Sequence, residues 1–307
     1  MLRGEKILVA GPTGQVGGPL AIALARENEV WGVARFGDAR ARERLEAAGV
    51  RCVAADLASG DLAKLPDDFG YALNFSVAKT HDWDRDLAAN AEGTGFLMHH
   101  CRRARAFLHC SSTAVYAPNG HERLRETSPL GDNHAAFGFL PTYSICKIAA
   151  EGVARFSARQ LGLPTLIARL NVPYGDAGGW PAVHLELMRA GKPIAVHENA
   201  PSLFNPIHED DLVASLPRLL AAASVPATIV NWGGSEAVSI EDWCAWLGEL
   251  TGLEPSFTPT RRTIESACID TTRMEALTGP TQVHWRDGFR RMVAARRPEL
   301  LRAGVVR

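Results

Sequence analysis

The chain has 307 residues and a mass of 33.1 kDa, enough for one or two domains around a sizeable core. A formal net charge of −1 and a pI of about 6.8 exclude an overall field that would recruit nucleic acid or an anionic membrane. Six scattered cysteines without a Cys-x-x-Cys pair read as reduced thiols of a cytoplasmic protein, and ten histidines without metal spacing predict no metal.

The first six residues run straight into an apolar strand, so no signal peptide is expected. No apolar run is long enough for a membrane span, because Pro217, Arg218 and Pro226 interrupt the best candidate. Apolar runs at 7–10, 29–34, 51–55, 71–76, 106–110 and 165–170 read as strands. Between them, 16–27, 39–48, 84–103 and 142–161 read as helices. That alternation predicts an α/β fold, a doubly wound parallel Rossmann sheet with right-handed crossovers.

After Asn171 the pattern loosens into a helix over 180–190, a strand near 193–197, a helix over 209–223 and a strand over 228–232. Ser239 reads as the N-cap of a helix over 240–251, with Glu241 and Asp242 in its first turn. Residues 1–171 with parts of 200–232 are expected to form the dinucleotide-binding domain. Residues 172–307 are expected to form mainly a smaller C-terminal substrate-binding lobe that does not fold alone.

Gly11-Pro-Thr13-Gly14-Gln15-Val16-Gly17 lies between the first strand and the first helix, the context in which a glycine fingerprint signals a dinucleotide pyrophosphate. The second strand ends in Ala34-Arg35, with no acid before Asp38. An arginine there suits a ribose 2′-phosphate, so NADP is the expected cofactor, with NAD as the alternative. Asp56 and Leu57, just past the third strand, are placed to meet the adenine. Tyr143 and Lys147 lie one helical turn apart, where the ammonium is expected to lower the phenol pKa below its usual value of about 10 and make it a general acid. The apolar 137–140 segment carries Phe139 toward the tyrosine, and Trp180 and the segment containing His81 are further candidates for a substrate pocket.

These motifs resemble the extended short-chain dehydrogenase/reductase family, also called the NAD(P)-dependent epimerase/dehydratase family, over nearly the whole chain. The resemblance implies that the loop Phe75-Ser76-Val77-Ala78-Lys79 touches the cofactor, its lysine reaching the ribose-phosphate side. It implies that Asn90, in Asn90-Ala-Glu-Gly93-Thr94, lines the cofactor site, as does Val172 in Arg169-Leu-Asn-Val172-Pro-Tyr174-Gly175. Ser112-Thr113-Ala114-Val115-Tyr116 is similar to the family segment whose first residue binds the substrate oxygen. Ser112 would hold that oxygen with Thr113 beside it, Tyr143 would move its proton, and Lys147 would bind ribose hydroxyls.

Departures from the family pattern narrow the expectation. Sugar-nucleotide dehydratases carry Asp-Glu where this chain has Thr113-Ala114, so dehydration is not expected. Phe204 stands where many nucleotide-sugar epimerases place an arginine for the diphosphate, and a phenylalanine cannot pair with phosphate. The expected function is therefore hydride transfer between NADP(H) and a carbonyl or alcohol of a small molecule. The alternatives are a nucleotide-sugar epimerase with tightly bound NAD and a non-catalytic NADP-binding sensor. The resemblance also implies a homodimer built on the helices over 84–103 and 142–161.

Overall fold

In the computed structural model, which describes residues 2–302, the first half of the chain alternates strand and helix. Its elements are β1 (Lys6–Ala10), α1 (Gly17–Ala25), β2 (Glu29–Ala34), α2 (Ala39–Ala47), β3 (Arg51–Ala54), β4 (Tyr71–Asn74), α3 (Trp83–Leu87), α4 (Gly93–His100), β5 (Ala106–Ser112), α5 (Tyr143–Leu161) and β6 (Thr165–Leu170). The second half contains β7 (Pro173–Gly175), β8 (Gly178–Gly179), α6 (Trp180–Arg189), β9 (Ile194–His197), β10 (Leu203–Phe204), β11 (Ile207–His208), α7 (Glu209–Ala221), β12 (Thr228–Trp232), β13 (Val238–Ser239), α8 (Ile240–Thr251), β14 (Phe257–Thr260), α9 (Thr272–Thr278) and α10 (Trp285–Arg296).

The main sheet has seven strands in the order β12-β6-β5-β4-β1-β2-β3, every neighbouring pair parallel. Its central strands are buried on both faces, all six residues of β6 included, because helices cover both sides of the sheet. The strand order turns back at β1, which opens a crevice above the carboxyl ends of β1 and β4, the ligand position of such sheets. A further core gathers mainly residues of the second half with Val115, Tyr116 and Leu124 of the first, and in it Trp243, Leu247, Phe289 and Met292 are almost fully excluded from solvent. Ser239 caps α8 by accepting from Asp242 N at 2.9 Å.

Two local differences from the sequence expectation have physical causes. The single helix expected over 84–103 is interrupted by a π-helical turn at Ala88–Glu92 and ends at His100. That extra residue in the turn faces Asn90 toward Ala78, whose N–H it accepts at 2.9 Å and whose carbonyl it donates to at 3.0 Å. The strand expected over 71–76 stops at Asn74, because its side chain accepts from Ser76 N at 3.1 Å and turns the chain. The elements after 251, β14, α9 and α10, have no counterpart in the sequence reading.

Candidate active site

The glycine loop is built so that no side chain fills the crevice. Gly11 has φ +76°, and a Cβ there would stand 2.7 Å from Ser76 N; one on Gly17 would collide with the Gly11 carbonyl. Val16, at the start of α1, makes no side-chain capping bond; Gly18 N already donates to Gly14 O at 2.9 Å and Pro19 has no N–H, so the helix start can offer an anion chiefly Gly17 N. A dinucleotide fits these residues. Thr13 and Gln15 are exposed on the loop, and Gln15 donates to Pro173 O at 2.8 Å, tying the loop to the far wall.

At the adenosine end Arg35 is exposed just past β2. Asp38, the next acid, is engaged in capping α2 and accepts from Arg40 N at 3.0 Å and Ala41 N at 3.3 Å. Asp56 caps the turn that follows β3, accepting from Ala58 N at 3.2 Å, with Leu57 buried behind it. Phe75 is buried beneath the glycine loop, whereas Val77 is exposed. Both ends of the buried Asn90 amide bind main chain, so this side chain shapes the 75–79 loop.

The reacting end is organised by α5. Thr142, just before it, donates to Asp86 Oδ2 at 2.7 Å. The buried Asp86 also accepts from Thr80 N and His81 N, so one carboxylate fastens the lysine-bearing loop to the start of the tyrosine helix. Its pKa is held below the usual carboxylate range: burial pushes it up, and these hydrogen bonds outweigh that. Two cations approach the Tyr143 ring, Lys79 Nζ at 5.0 Å and Lys147 Nζ at 6.0 Å from its centroid. Lys147 is buried and donates to Cys110 O at 2.8 Å.

This arrangement revises the electrostatic expectation. Burial raises the Tyr143 pKa above its ordinary value, and the Lys79 ammonium and a hydrogen bond from Ser112 pull against it. Lys147 is drawn under the ring by the Cys110 carbonyl, and burial lowers its own pKa. The cation that favours the phenolate is thus Lys79, expected at the ribose side. The neighbouring thiols do not compete as nucleophiles, because burial pushes Cys110 and Cys146 up to about 11. Among the described residues no cluster of His, Cys, Asp and Glu could hold a metal.

Ser112, Thr113, Lys79 and Tyr143 open onto one cleft of about 730 Å³, whose walls also include Gln15, Val172, Phe139, Trp180 and Phe204. Thr113 is buried and within 3.4 Å of Asn171 Nδ2. Phe204 is buried against Trp180, ring centroids 4.9 Å apart. Phe137 and Phe139 also line the cleft, their rings tilted by 59° with centroids 5.8 Å apart and Phe139 68% exposed. His81 is exposed on the rim, its ring 6.5 Å from Phe139. Neither the rest of the glycine loop (Gly11, Thr13, Gly14, Val16, Gly17) nor Phe75, Ser76, Val77 and His81 belongs to this cleft wall, and Arg35, Asp56, Leu57, Asn90 and Lys147 also lie outside it. Sequence reasoning missed Asn133, His134 and Arg296, which are. The first two sit in a loop without periodicity and the last in an arginine-rich terminal helix, so no local signal marks them.

A model of the NAD dependent epimerase/dehydratase family matches residues 7–233. No curated protein matches the chain. The fold is similar to that of UDP-glucuronic acid 4-epimerase from Bacillus cereus in complex with UDP-glucuronic acid and NAD, at TM-score 0.79 and 20% identity over 94% of this chain and 98% of that one. It is also similar to UDP-glucose 4-epimerase from Thermotoga maritima with UDP-glucose, at 0.80 and 18% over 96% and 99%. UDP-N-acetylglucosamine 4-epimerase from Methanobrevibacter ruminantium M1, in complex with UDP-N-acetylmuramic acid, gives 0.81 and 14% over 96% and 98%. At such identities these likenesses concern the fold.

Proposed function

Because the chain belongs to the NAD dependent epimerase/dehydratase family, we propose that it transfers a hydride between a nicotinamide dinucleotide and a carbonyl or alcohol carbon of a small, weakly charged molecule. The observation that carries this reading is the meeting of Ser112 and Tyr143 on one cleft wall with two lysines near the phenol ring. The glycine loop, Arg35 and the 75–79 loop would hold the dinucleotide, which would supply the hydride chemistry. The chain's own residues do the rest. Ser112 Oγ and Tyr143 Oη orient the substrate oxygen and stabilise the charge that develops on it. Tyr143, kept protonated by burial, holds the proton at Oη, and Lys79 stabilises the phenolate once that proton has moved.

Three observations support the finer parts of this reading. Arg35, with Asp38 engaged elsewhere, favours NADP over NAD. Phe204, buried among Trp180 and Trp243, favours a substrate without a diphosphate. Exposed Phe96 on α4 and Phe156 on α5 favour a homodimer through these helices. A second reading, a nucleotide-sugar epimerase that retains NAD, is supported by the substrates of the similar solved structures and by Arg296, a cation at the cleft.

Tyr143→Phe tests the proposal. Turnover of an identified substrate should fall by about 10²- to 10⁴-fold, while NADPH affinity, read by cofactor fluorescence, changes by no more than a few-fold. Undiminished turnover would remove the phenol from the mechanism. Thermal stabilisation by UDP-, GDP- or dTDP-sugars separates the two readings, since only the epimerase should respond.

A further inference from the structure

His134 lies in the loop between β5 and α5, is buried, and forms part of the cleft wall with its ring centroid 5.3 Å from that of Tyr143. Its protonation pattern is assigned by the network around it. Asn133 Nδ2 donates to Thr113 O at 3.2 Å, which fixes the amide so that its oxygen faces His134 Nδ1 at 2.5 Å. A carboxamide oxygen can only accept, so Nδ1 carries the proton. Ser144 Oγ, 3.2 Å from the same nitrogen, is compatible as a second acceptor. Nε2 is then a bare lone pair, and among the described residues it makes no hydrogen bond. Burial holds the imidazole neutral, with its pKa pushed down to about 4. A neutral, oriented acceptor beside the phenol that carries the reacting proton lacks only a donor, and the substrate is what enters that space.

We propose that His134 Nε2 binds a hydroxyl on the carbon next to the reacting carbon, so that the site selects carbonyl compounds with a vicinal hydroxyl. The selection deepens the hydride-transfer reading and rests on it. The apolar remainder of the wall, with Phe137, Phe139 and Trp180, accommodates the rest of such a molecule but cannot distinguish a hydroxylated ketone from its parent. His134 supplies the discrimination through a partner left unmade by the parent ketone.

The experiment compares 2-hydroxyacetophenone with acetophenone. Both are titrated by calorimetry into the full chain saturated with NADP⁺, so that no turnover intervenes. The hydroxylated ketone should bind about tenfold tighter, the worth of one hydrogen bond in a desolvated site. His134→Asn keeps a donor to Asn133 but loses the group at the Nε2 position, so the ratio should fall to near one. His134→Gln, whose amide oxygen reaches that position, should recover part of it. Circular dichroism melts check that each variant is folded. Equal binding of the two ketones by the parent chain, binding of neither, or a ratio unchanged in His134→Asn overturns the proposal. Failure of the hydride-transfer reading looks different: the parent chain would discriminate in binding yet oxidise no NADPH with either ketone.

Discussion

On the proposed reading, the choice between NADP and NAD turns on a single side chain, Arg35. It stands exposed at the end of β2, and the acid that could have accepted a ribose hydroxyl there, Asp38, already holds two N–H groups of α2. A charge-assisted contact is worth about 1.5–3 kcal/mol, or roughly 10- to 100-fold in affinity. Arg35→Ala should therefore weaken NADPH binding by that factor and leave NADH binding nearly as it was, measured by fluorescence titration of both. Equal losses would take the 2′-phosphate away from this residue. Tyr143 carries the complementary lesson: spacing alone put Lys147 one turn away, but the direction of an ammonium depends on which carbonyl it finds, and Cys110 O takes it.

At the scale of elements, helix α5, which carries Tyr143, is anchored by a buried ion pair. Glu151, one turn beyond Lys147 on α5, accepts from Arg169 Nε at 2.9 Å and Nη2 at 2.8 Å and from Ser111 Oγ at 2.5 Å. The two charged side chains are only 2% and 3% exposed. Arg169 also donates to Glu126 O at 3.0 Å and lies over the Tyr116 ring, so β5, β6 and α5 meet at one charge. Removing one partner strands the other in a dry interior. Glu151→Gln should cost about 3–5 kcal/mol in urea unfolding, and a variant as stable as the parent would refute this account of the anchoring.

None of that pair was legible in the sequence, because Glu151 and Arg169 are brought together by tertiary packing and not by periodicity. The helix itself was legible, since 142–161 carries one long amphipathic period. β2, β6 and β12 were read to the residue, because their apolar runs end abruptly at polar or glycine-bearing turns. The π-helical turn was invisible, as its cause is a contact between Asn90 and a loop twelve residues away. Of the cleft, Ser112, Tyr143 and, from the glycine loop, Gln15 were readable from motif spacing. Asn133 and His134 were not, as their meaning depends on the Thr113 carbonyl.

Across the whole molecule the two halves are interleaved: β12 leaves the C-terminal half to become the edge of the main sheet beside β6, so neither half closes its core alone. Urea unfolding followed by far- and near-ultraviolet circular dichroism should give one coincident transition. Its pH dependence follows from buried histidines spread over the fold: burial lowers His208 in β11 and, by more, three others, His109 in β5, His134 on the cleft wall and His184 in α6. Burial pushes their pKa values down to about 3, about 4 and about 4, respectively, while in the unfolded chain each titrates near 6.5. Between those values the unfolded state binds more protons, so stability is full above about pH 6.5 and is lost as the pH falls toward 4. From pH 7 to 5 the loss amounts to roughly 2 kcal/mol per histidine. The carboxylate of Asp86, whose pKa is lowered, adds its loss only below this window. A transition midpoint that stays level between pH 7 and 5 would mean that these imidazoles take up protons in the folded state. Replacement of His184 by Gln, which cannot be protonated, should flatten the curve by about one proton's slope relative to the parent chain.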